Sequence, residues 1–203
     1  FGMNALLSNT TASNNAAFGT EALEQNTTGT ENSAFGSFSL DANTEADANT
    51  ALGFGALGAN TTASNNTAVG SRALLTNTTG ANNVAVGSLT LDAATTANNN
   101  TAVGQGAMSG TTTGSDNTAV GLSALYTNTT GANNVAIGRT SLFSNTSGAK
   151  NVSVGNYSLD ANTTGSDNTA VGHNALTANT TGASNVAIGR GSLGFNTTAS
   201  NNT

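Results

Sequence analysis

The single histidine of the chain, His173, is the residue best suited to acid–base or metal chemistry, and it has no partners of the right type. The 203 residues include no cysteine, so no thiolate could share a zinc ion with this imidazole. Serines are plentiful, but no Gly-x-Ser-x-Gly elbow comes with the histidine and carboxylate that a nucleophilic serine requires. We therefore expect His173 to occupy a solvated, variable position, and we expect no catalytic residues and no enzymatic activity.

The carboxylates are too dispersed to form a metal site or a pair for glycoside hydrolysis. Glu24, Asp41, Asp92 and Asp160 lie multiples of 17 residues apart. They form no continuous row of carboxylates, because residues such as Leu75 and Tyr126 occupy other places at the same spacing. Calcium-binding β-rolls need a Gly-Gly-x-Gly-x-Asp pattern, which is absent, and Asp116 and Asp167 stand alone. We expect no metal and no cofactor, calcium included.

In nine copies the Asn-Thr-Thr or Asn-Thr-Ser segment of the repeat matches the acceptor for N-linked glycosylation. The asparagines of these segments are Asn9, Asn26, Asn60, Asn77, Asn128, Asn145, Asn162, Asn179 and Asn196. The same residues are typical of turns, since asparagine tolerates left-handed backbone and bonds to its own chain. We expect a turn here, with glycosylation relevant only in a host that performs it.

The overall composition excludes several classes of partner. Four basic residues against ten acidic ones give a net charge of −6, which disfavours a nucleic-acid groove. No run of about 18 apolar residues occurs, so we expect no membrane insertion. Charged residues make up only 7% of the chain, against roughly 25% in soluble domains, so the chain is not an ordinary globular domain.

The whole chain is a repeat with a period of 17, without insertion or deletion. The repeat is marked by a glycine, which recurs at every seventeenth place and which we number as position 1 of each copy. These glycines are Gly2, Gly19, Gly36, Gly53, Gly70, Gly87, Gly104, Gly121, Gly138, Gly155, Gly172 and Gly189. We expect residues 1–203 to form one repeat array. The chain begins and ends within a copy and neither end resembles a cap, which predicts a fragment of a longer array or of a filament.

The columns that stay constant from copy to copy predict the fold. Positions 15 to 17 (Val-Ala-Val or Thr-Ala-Val) and positions 4 to 7 (Ala-Leu-x-x) favour two short strands, and the Asn-Thr-Thr-Gly segment between them favours a bend. One such circuit per repeat is typical of an all-β parallel β-solenoid, here a β-roll of about twelve coils. Successive coils of such a solenoid lie about 4.8 Å apart, so identical side chains in neighbouring coils can form hydrogen bonds with each other. The constant asparagine of position 14 predicts a structural ladder of Asn15, Asn32, Asn49, Asn66, Asn83, Asn100, Asn117, Asn134, Asn151, Asn168, Asn185 and Asn202.

Alternation along the strand assigns its two faces. We expect the bulky residue of position 17 to point into the coil and the small residue of position 16 to point outwards. A solvent-facing strand position would vary, yet this one is held small in every copy, which indicates close packing against a second copy of the chain. The expected chain-packing face is Ala17, Ala34, Ala51, Ala68, Ala85, Ala102, Ala119, Ala136, Ser153, Ala170 and Ala187. We expect these faces to meet side by side in an association of two or more chains.

The segment Asn-Asn-Val-Ala-Val-Gly at residues 82–87, with its counterpart at residues 133–138, resembles the head repeat of trimeric autotransporter adhesins. The resemblance extends to every copy, although the repeat of that family is usually shorter. It implies a left-handed parallel β-roll with three chains packed together. The fuller repeat, which adds Ala-Leu and Asn-Thr-Thr-Gly, is also similar to repeats of phage tail-fibre-like proteins and of large surface proteins of aquatic bacteria.

These features predict a structural or adhesive fibre segment of a bacterial surface protein or phage tail fibre, acting as a rigid stalk or head. Its place would be extracellular, on a cell surface or a virion. Two alternatives stay open: the subunit of a self-assembling extracellular filament, and an ice- or carbohydrate-binding solenoid that presents threonine ladders at positions 9 and 10. We expect any host receptor or glycan to be contacted through other parts of a longer protein.

Overall fold

The structure is a computed structural model that describes residues 2–203, and in this range the chain winds as a parallel β-solenoid without helices. Eleven three-residue strands form one sheet, in which each strand pairs with its neighbours in sequence. The strands are β1 (Ala16–Phe18), β2 (Ser33–Phe35), β3 (Thr50–Leu52), β4 (Thr67–Val69), β5 (Val84–Val86), β6 (Thr101–Val103), β7 (Thr118–Val120), β8 (Val135–Ile137), β9 (Val152–Val154), β10 (Thr169–Val171) and β11 (Val186–Ile188). The described residues contain no helix suited to crossing a membrane. The predicted solenoid fold is confirmed.

Pairing is parallel and in register along the whole sheet. In its middle, Ala102 of β6 pairs with Ala119 of β7, and every other neighbouring pair has the same offset of one repeat. Each repeat position therefore becomes a straight column of equivalent residues along the stack. The strand closes each copy and the twelfth copy stops at position 15, so the eleven strands make about ten turns rather than twelve.

Only one of the two strands predicted per copy exists. Positions 2 to 7, the turn side of the coil, form consecutive turns, closed by bonds such as that from the Ala73 N–H to the Gly70 carbonyl at 3.3 Å. Positions 3 and 5 have left-handed backbone, with φ of 58° at Arg72 and 51° at Leu74, which a strand does not contain. Other backbone groups of this segment still form hydrogen bonds to the next coil. The Leu74 N–H, for example, donates to the Thr90 carbonyl at 3.0 Å. The stack is thus hydrogen-bonded on its turn side as well as through its sheet.

The column at position 5 supplies the largest apolar side chains of the interior. Its members from Leu23 to Leu176 are fully buried, Met108 among them, and φ at this position lies between 48° and 55° in every copy. A left-handed conformation costs a residue with a Cβ roughly 1–2 kcal/mol. Burying a leucine side chain gains about 1.5–3 kcal/mol, so the fold tolerates leucine in this conformation.

The two faces of the strand are opposite to those expected from the sequence. The small residues of position 16 point into the coil, where Ala102 and Ala119 have no exposed surface, and the bulky residues of position 17 point outwards. The reason is visible where two serines meet, since the hydroxyls of Ser141 at position 4 and Ser153 at position 16 are 2.7 Å apart. The walls of the coil touch there and leave no room for valine or isoleucine. The prediction of an outer chain-packing face was therefore wrong for Ala17, Ala34, Ala51, Ala68, Ala85, Ala102, Ala119, Ala136, Ser153, Ala170 and Ala187, all of which are buried.

Position 1 requires glycine for two reasons. At Gly104 the backbone has a φ of 132°, which side chains oppose. A Cβ at this residue would also lie 2.4 Å from the carbonyl oxygen of Gly121 in the next coil. The glycine column therefore allows successive coils to approach closely at the corner where the sheet ends.

Candidate functional site

The asparagines of position 14 form a hydrogen-bonded column inside the coil, just before each strand. Asn100 is representative, since its Nδ2 donates to Asn83 Oδ1 at 3.2 Å and to the Gly114 carbonyl at 3.0 Å. Its own Oδ1 accepts the backbone N–H of Asn117 at 3.0 Å. The column is buried from Asn32 to Asn185, and a buried polar group without partners would cost roughly 1–3 kcal/mol. Stacking therefore accounts for the asparagine at every position 14.

A second asparagine ladder, at position 8, was not assigned from the sequence. Asn60 Nδ2 donates to Asn43 Oδ1 at 3.1 Å, and the same bond recurs up the column. Ala94 and Thr111 interrupt it, and there the buried Oδ1 of Asn77 and Oγ1 of Thr111 have no hydrogen-bond partner. The signal for this ladder in the sequence is the asparagine that ten of the twelve copies carry at position 8.

The burial of the position 8 asparagines bears on the glycosylation motifs. From Asn26 to Asn179 the asparagine side chains of this column are fully buried. An oligosaccharide cannot be carried by an amide that lies inside the coil. In the folded array, the Asn-Thr-Thr segment therefore acts as bend and ladder structure.

The threonines of position 9 are also engaged in the stack. Thr129 Oγ1 donates to the carbonyl of Thr146 in the next coil at 3.0 Å. Equivalent bonds of 3.0–3.4 Å recur along the column. A hydroxyl whose hydrogen is committed to the backbone keeps only its lone pairs for an external ligand. The ladder that would carry an ice-binding function thus stabilises the bend.

The outward side of the sheet, which we call the sheet face, consists of positions 15 and 17 of the eleven strands. Position 17 is apolar in every strand, and position 15 carries threonine, valine, serine or alanine, so no charge interrupts the face. In its middle, Val103, Val120 and Ile137 expose 37 to 40% of their surface. The apolar column of this face is Phe18, Phe35, Leu52, Val69, Val86, Val103, Val120, Ile137, Val154, Val171 and Ile188.

Variable residues gather at positions 2, 3 and 6 on the outside of the turn side, which we call the turn edge. There Tyr126 stacks on Phe143 with ring centroids 5.2 Å apart, and Arg139 lies 5.7 Å from the ring centroid of Tyr157. His173 is exposed and meets the Tyr157 ring edge-on at 5.9 Å. In residues 2–203 no group of three or more acidic or histidine residues could hold a metal ion.

Two aspartates of position 6 are bonded to the next coil in the same way. Asp92 accepts a hydrogen bond from the Ser109 hydroxyl at 2.6 Å, and Asp160 accepts one from the Thr177 hydroxyl at 2.6 Å. In both cases the donor also stands at position 6, one repeat further along. A carboxylate in this column is therefore placed to accept a hydroxyl from the coil that follows.

A shallow cavity of about 430 Å³ opens on the turn edge where Gly55 and Gly58 leave two places of one coil without side chains. The side chains around these glycines include Phe38, Asp41, Phe54, Arg72 and Leu75. Burial raises the pKa of the Asp41 carboxyl, the charges of Glu21 and Glu24 act in the same direction, and backbone N–H groups oppose them. We call this cavity the glycine notch.

Compared with known proteins, the chain matches no family model, no curated protein and no solved structure. The interior is committed to holding the stack together. The surfaces open to solvent are the sheet face, the turn edge and the bend that contains residues such as Thr113 and Thr130.

Proposed function

We propose that the protein is a rigid structural segment of an extracellular fibre, on a bacterial surface or a phage tail, whose chains associate through the sheet face. The observation that carries the proposal is the uninterrupted apolar column at position 17, which faces outwards in a single chain. A threonine or a charged residue at an exposed strand position would keep that face soluble. Bulky apolar residues in all eleven strands are explained when a partner covers them.

The sheet face is large enough for association. Ten steps of about 4.8 Å and a width of three residues at about 3.3 Å each give roughly 500 Å² of flat surface. The largest apolar patch of an ordinary monomer is about 300–600 Å², and a stable interface buries about 800 Å² on each partner. Because protruding side chains have more accessible area than their flat projection, the face reaches the scale of a stable contact.

Three copies about one axis would bring three sheet faces into a common apolar core. The valines and isoleucines of position 17 would fill that core, while the interior of each coil holds the small residues of position 16. This arrangement agrees with the three-chain packing implied by the resemblance to adhesin head repeats. The chain-packing face accordingly moves from position 16 to positions 15 and 17.

The internal ladders suit a segment that must hold its shape. Each coil is joined to the next through the sheet, two asparagine columns and a threonine column, so bending strains bonds in several columns at once. One such bond contributes only about 0.5–1.5 kcal/mol net, but in a repeat array the contributions accumulate with each coil. The distance from β1 to β11 is about 48 Å for ten steps of the stack.

The test is the mass of the protein in solution, measured by light scattering during size-exclusion chromatography. The natural chain of 19.7 kDa is expected to elute as a homotrimer. The double variant Val103→Lys, Val120→Lys should elute as a monomer with an unchanged circular dichroism spectrum, because both side chains face outwards in a single chain. The matched control Thr113→Lys, Thr130→Lys, on the exposed bend, should keep the mass of the natural chain.

Other outcomes separate the alternatives. A natural chain that stays monomeric at high concentration would overturn association through the sheet face. A mass that grows without limit with concentration, and persists in the Val103→Lys, Val120→Lys variant, would favour the self-assembling filament. Thermal hysteresis of ice growth by the monomer would favour an ice-binding solenoid.

A further inference from the structure

We propose that the glycine notch binds a neutral pyranose sugar, with Asp41 accepting hydrogen bonds from sugar hydroxyls and Phe38 and Leu75 contacting the apolar face of the ring. The notch lies on the turn edge, away from the sheet face. The proposal therefore holds or fails independently of the fibre function.

The first reason is the open place beside Asp41. At Asp92 and Asp160, the carboxylate accepts a hydroxyl from position 6 of the next coil at 2.6 Å. At the corresponding place Asp41 faces Gly58, where a Cβ would lie 3.3 Å from Asp41 Oδ1. The space that a serine or threonine hydroxyl fills in the other two coils is thus free for the hydroxyl of a ligand.

The second reason is the shape of the notch. Its floor is one coil, at Gly55 and Gly58, and its walls are residues of the coils before and after it, such as Phe38 and Leu75. Leu75 reaches over this floor, because its Cδ1 lies 3.4 Å from the place that a Cβ of Gly55 or Gly58 would occupy. Apolar groups in contact lie about 4 Å apart, so the notch takes one sugar ring whose apolar face lies on Leu75 and Phe38.

The third reason is the combination of charges. Arg72 brings a guanidinium with N–H donors to the rim, whereas Asp41 brings acceptors, and Glu21 and Glu24 lie close enough to influence its carboxyl. The acidic residues oppose an anionic ligand, and Arg72 opposes a cationic one. A neutral molecule that both donates and accepts hydrogen bonds satisfies both sides, and a sugar hydroxyl does so.

The apolar lining completes the match to a sugar. Phe38 and Phe54 meet edge-on with ring centroids 5.6 Å apart, and Phe54 is half exposed. Small-molecule sites are mostly apolar, with a few polar groups that fix orientation. A partly desolvated carboxylate such as Asp41 also binds hydroxyl donors more strongly than one in bulk water.

The experiment is saturation-transfer nuclear magnetic resonance on the full chain with the methyl pyranosides of glucose, galactose and mannose. At least one of them should bind with a dissociation constant of about 1 mM, as a ligand of this size does in a shallow site. Sorbitol has the hydroxyls without the ring, and cyclohexanol has the ring without the set of hydroxyls. Both should bind at least about tenfold more weakly.

Two variants assign the binding to the notch. Gly58→Ser supplies the hydroxyl that Asp41 lacks and fills the floor, as Ser109 does beside Asp92, so sugar binding should fall by more than about tenfold with the thermal midpoint unchanged or raised. Asp41→Asn should weaken binding about tenfold. The matched control Asp160→Asn, at the same repeat position away from the notch, should bind the sugar like the natural chain.

Three results would overturn the proposal. The first is that none of the three methyl pyranosides gives a transfer signal at about 10 mM, ten times the expected dissociation constant. The second is that binding survives unchanged in both Gly58→Ser and Asp41→Asn. The third is that cyclohexanol binds as well as the sugars, which would make the notch an apolar crevice without sugar recognition.

Discussion

The sheet face and the turn edge cover the same stack of coils, yet they differ in how much their residues change from coil to coil. On the sheet face, position 17 is a bulky apolar residue in all eleven strands. On the turn edge, position 6 is acidic at Asp92, aromatic at Tyr126 and without a side chain at Gly58. The interior beneath both surfaces is nearly constant, with small residues on the sheet side and leucine on the turn side.

The difference shows which constraint acts on each surface. Interior columns are held constant because identical residues must stack. Position 17 points outwards and makes no hydrogen bonds with its side chains, and its constancy is what the proposed association through the sheet face would explain. Positions 2, 3 and 6 vary, which leaves single coils free to form local features such as the glycine notch.

Adding a side chain to the glycine at the corner between the sheet and the turn side should lower the stability more than any other change. In Gly104→Val the new side chain meets the Gly121 carbonyl and a φ of 132°, so we expect the free energy of unfolding to fall by about 4 kcal/mol or more. Urea unfolding followed by circular dichroism measures it. The control is Gly106→Asn. Gly106 has a left-handed φ of 64°, and asparagine has a similar φ at this repeat position, 59° at Asn4 and 57° at Asn174, so this variant should lose less than about 1 kcal/mol. Equal losses in both variants would show that the corner has no special role.

Breaking the position 14 ladder should have the next largest effect. Asn100→Ala leaves the Gly114 carbonyl and the Asn117 N–H unpaired inside the coil, which should cost about 3 kcal/mol. Hydrogen exchange should show the loss spreading to β6 and β7. Asn99→Ala, at the exposed neighbouring position with a φ of 58°, should cost about 1–2 kcal/mol, less than Asn100→Ala. If Asn100→Ala leaves the free energy of unfolding unchanged, the ladder does not hold the coils together.

The assignment of the two strand faces can be sharpened by enlarging a residue that points inwards and by replacing a hydroxyl with a methyl group on a residue that points outwards. Ala102→Val overfills the interior, where the alanine has no exposed surface, and should lower the free energy of unfolding by about 1–3 kcal/mol. Thr101→Val, on the sheet face, introduces a residue that Val84 and Val135 already carry at position 15 and should be neutral. Thermal unfolding of both variants measures the difference. A larger loss of stability in Thr101→Val than in Ala102→Val would mean that position 16, and not position 15, faces outwards.

The smallest expected effect is an increase in the free energy of unfolding. Ala94→Asn would restore the position 8 ladder, because its amide could donate to Asn77 Oδ1 and accept the Thr111 hydroxyl, both now unpaired. We expect the free energy of unfolding to rise by about 1 kcal/mol, measured by urea unfolding. Ala93→Asn, just outside the column, should give no gain. If both variants destabilise the protein equally, the gap in the ladder is not a missing bond.

The constant period of the sequence was sufficient to predict the solenoid and its register, because stacking like on like leaves one consistent pairing. The orientation of the strand was not predictable by the usual rule that bulky residues point inwards, since that rule assumes an interior with room for them, whereas here the walls of the coil touch, as the Ser141 and Ser153 hydroxyls show. The turns of positions 2 to 7 escaped prediction because leucine is rarely left-handed, and nothing in an Ala-Leu pair reveals it. The glycine notch was within reach of the sequence, since Asp41 is followed one repeat later by Gly58, whereas Asp92 and Asp160 are followed by hydroxyl residues.

The proposal that chains meet through the sheet face can be tested by the distance between equivalent residues of different chains. The chain has no cysteine, so Val120→Cys places one spin label at position 17, and Thr113→Cys places one on the bend. Packed sheets lie about 10 Å apart, and we predict dipolar coupling between chains at about 20 Å or less for the label at residue 120 and none at that range for residue 113. Coupling at residue 113 without coupling at residue 120, or no coupling between chains at all, would contradict association through the sheet face.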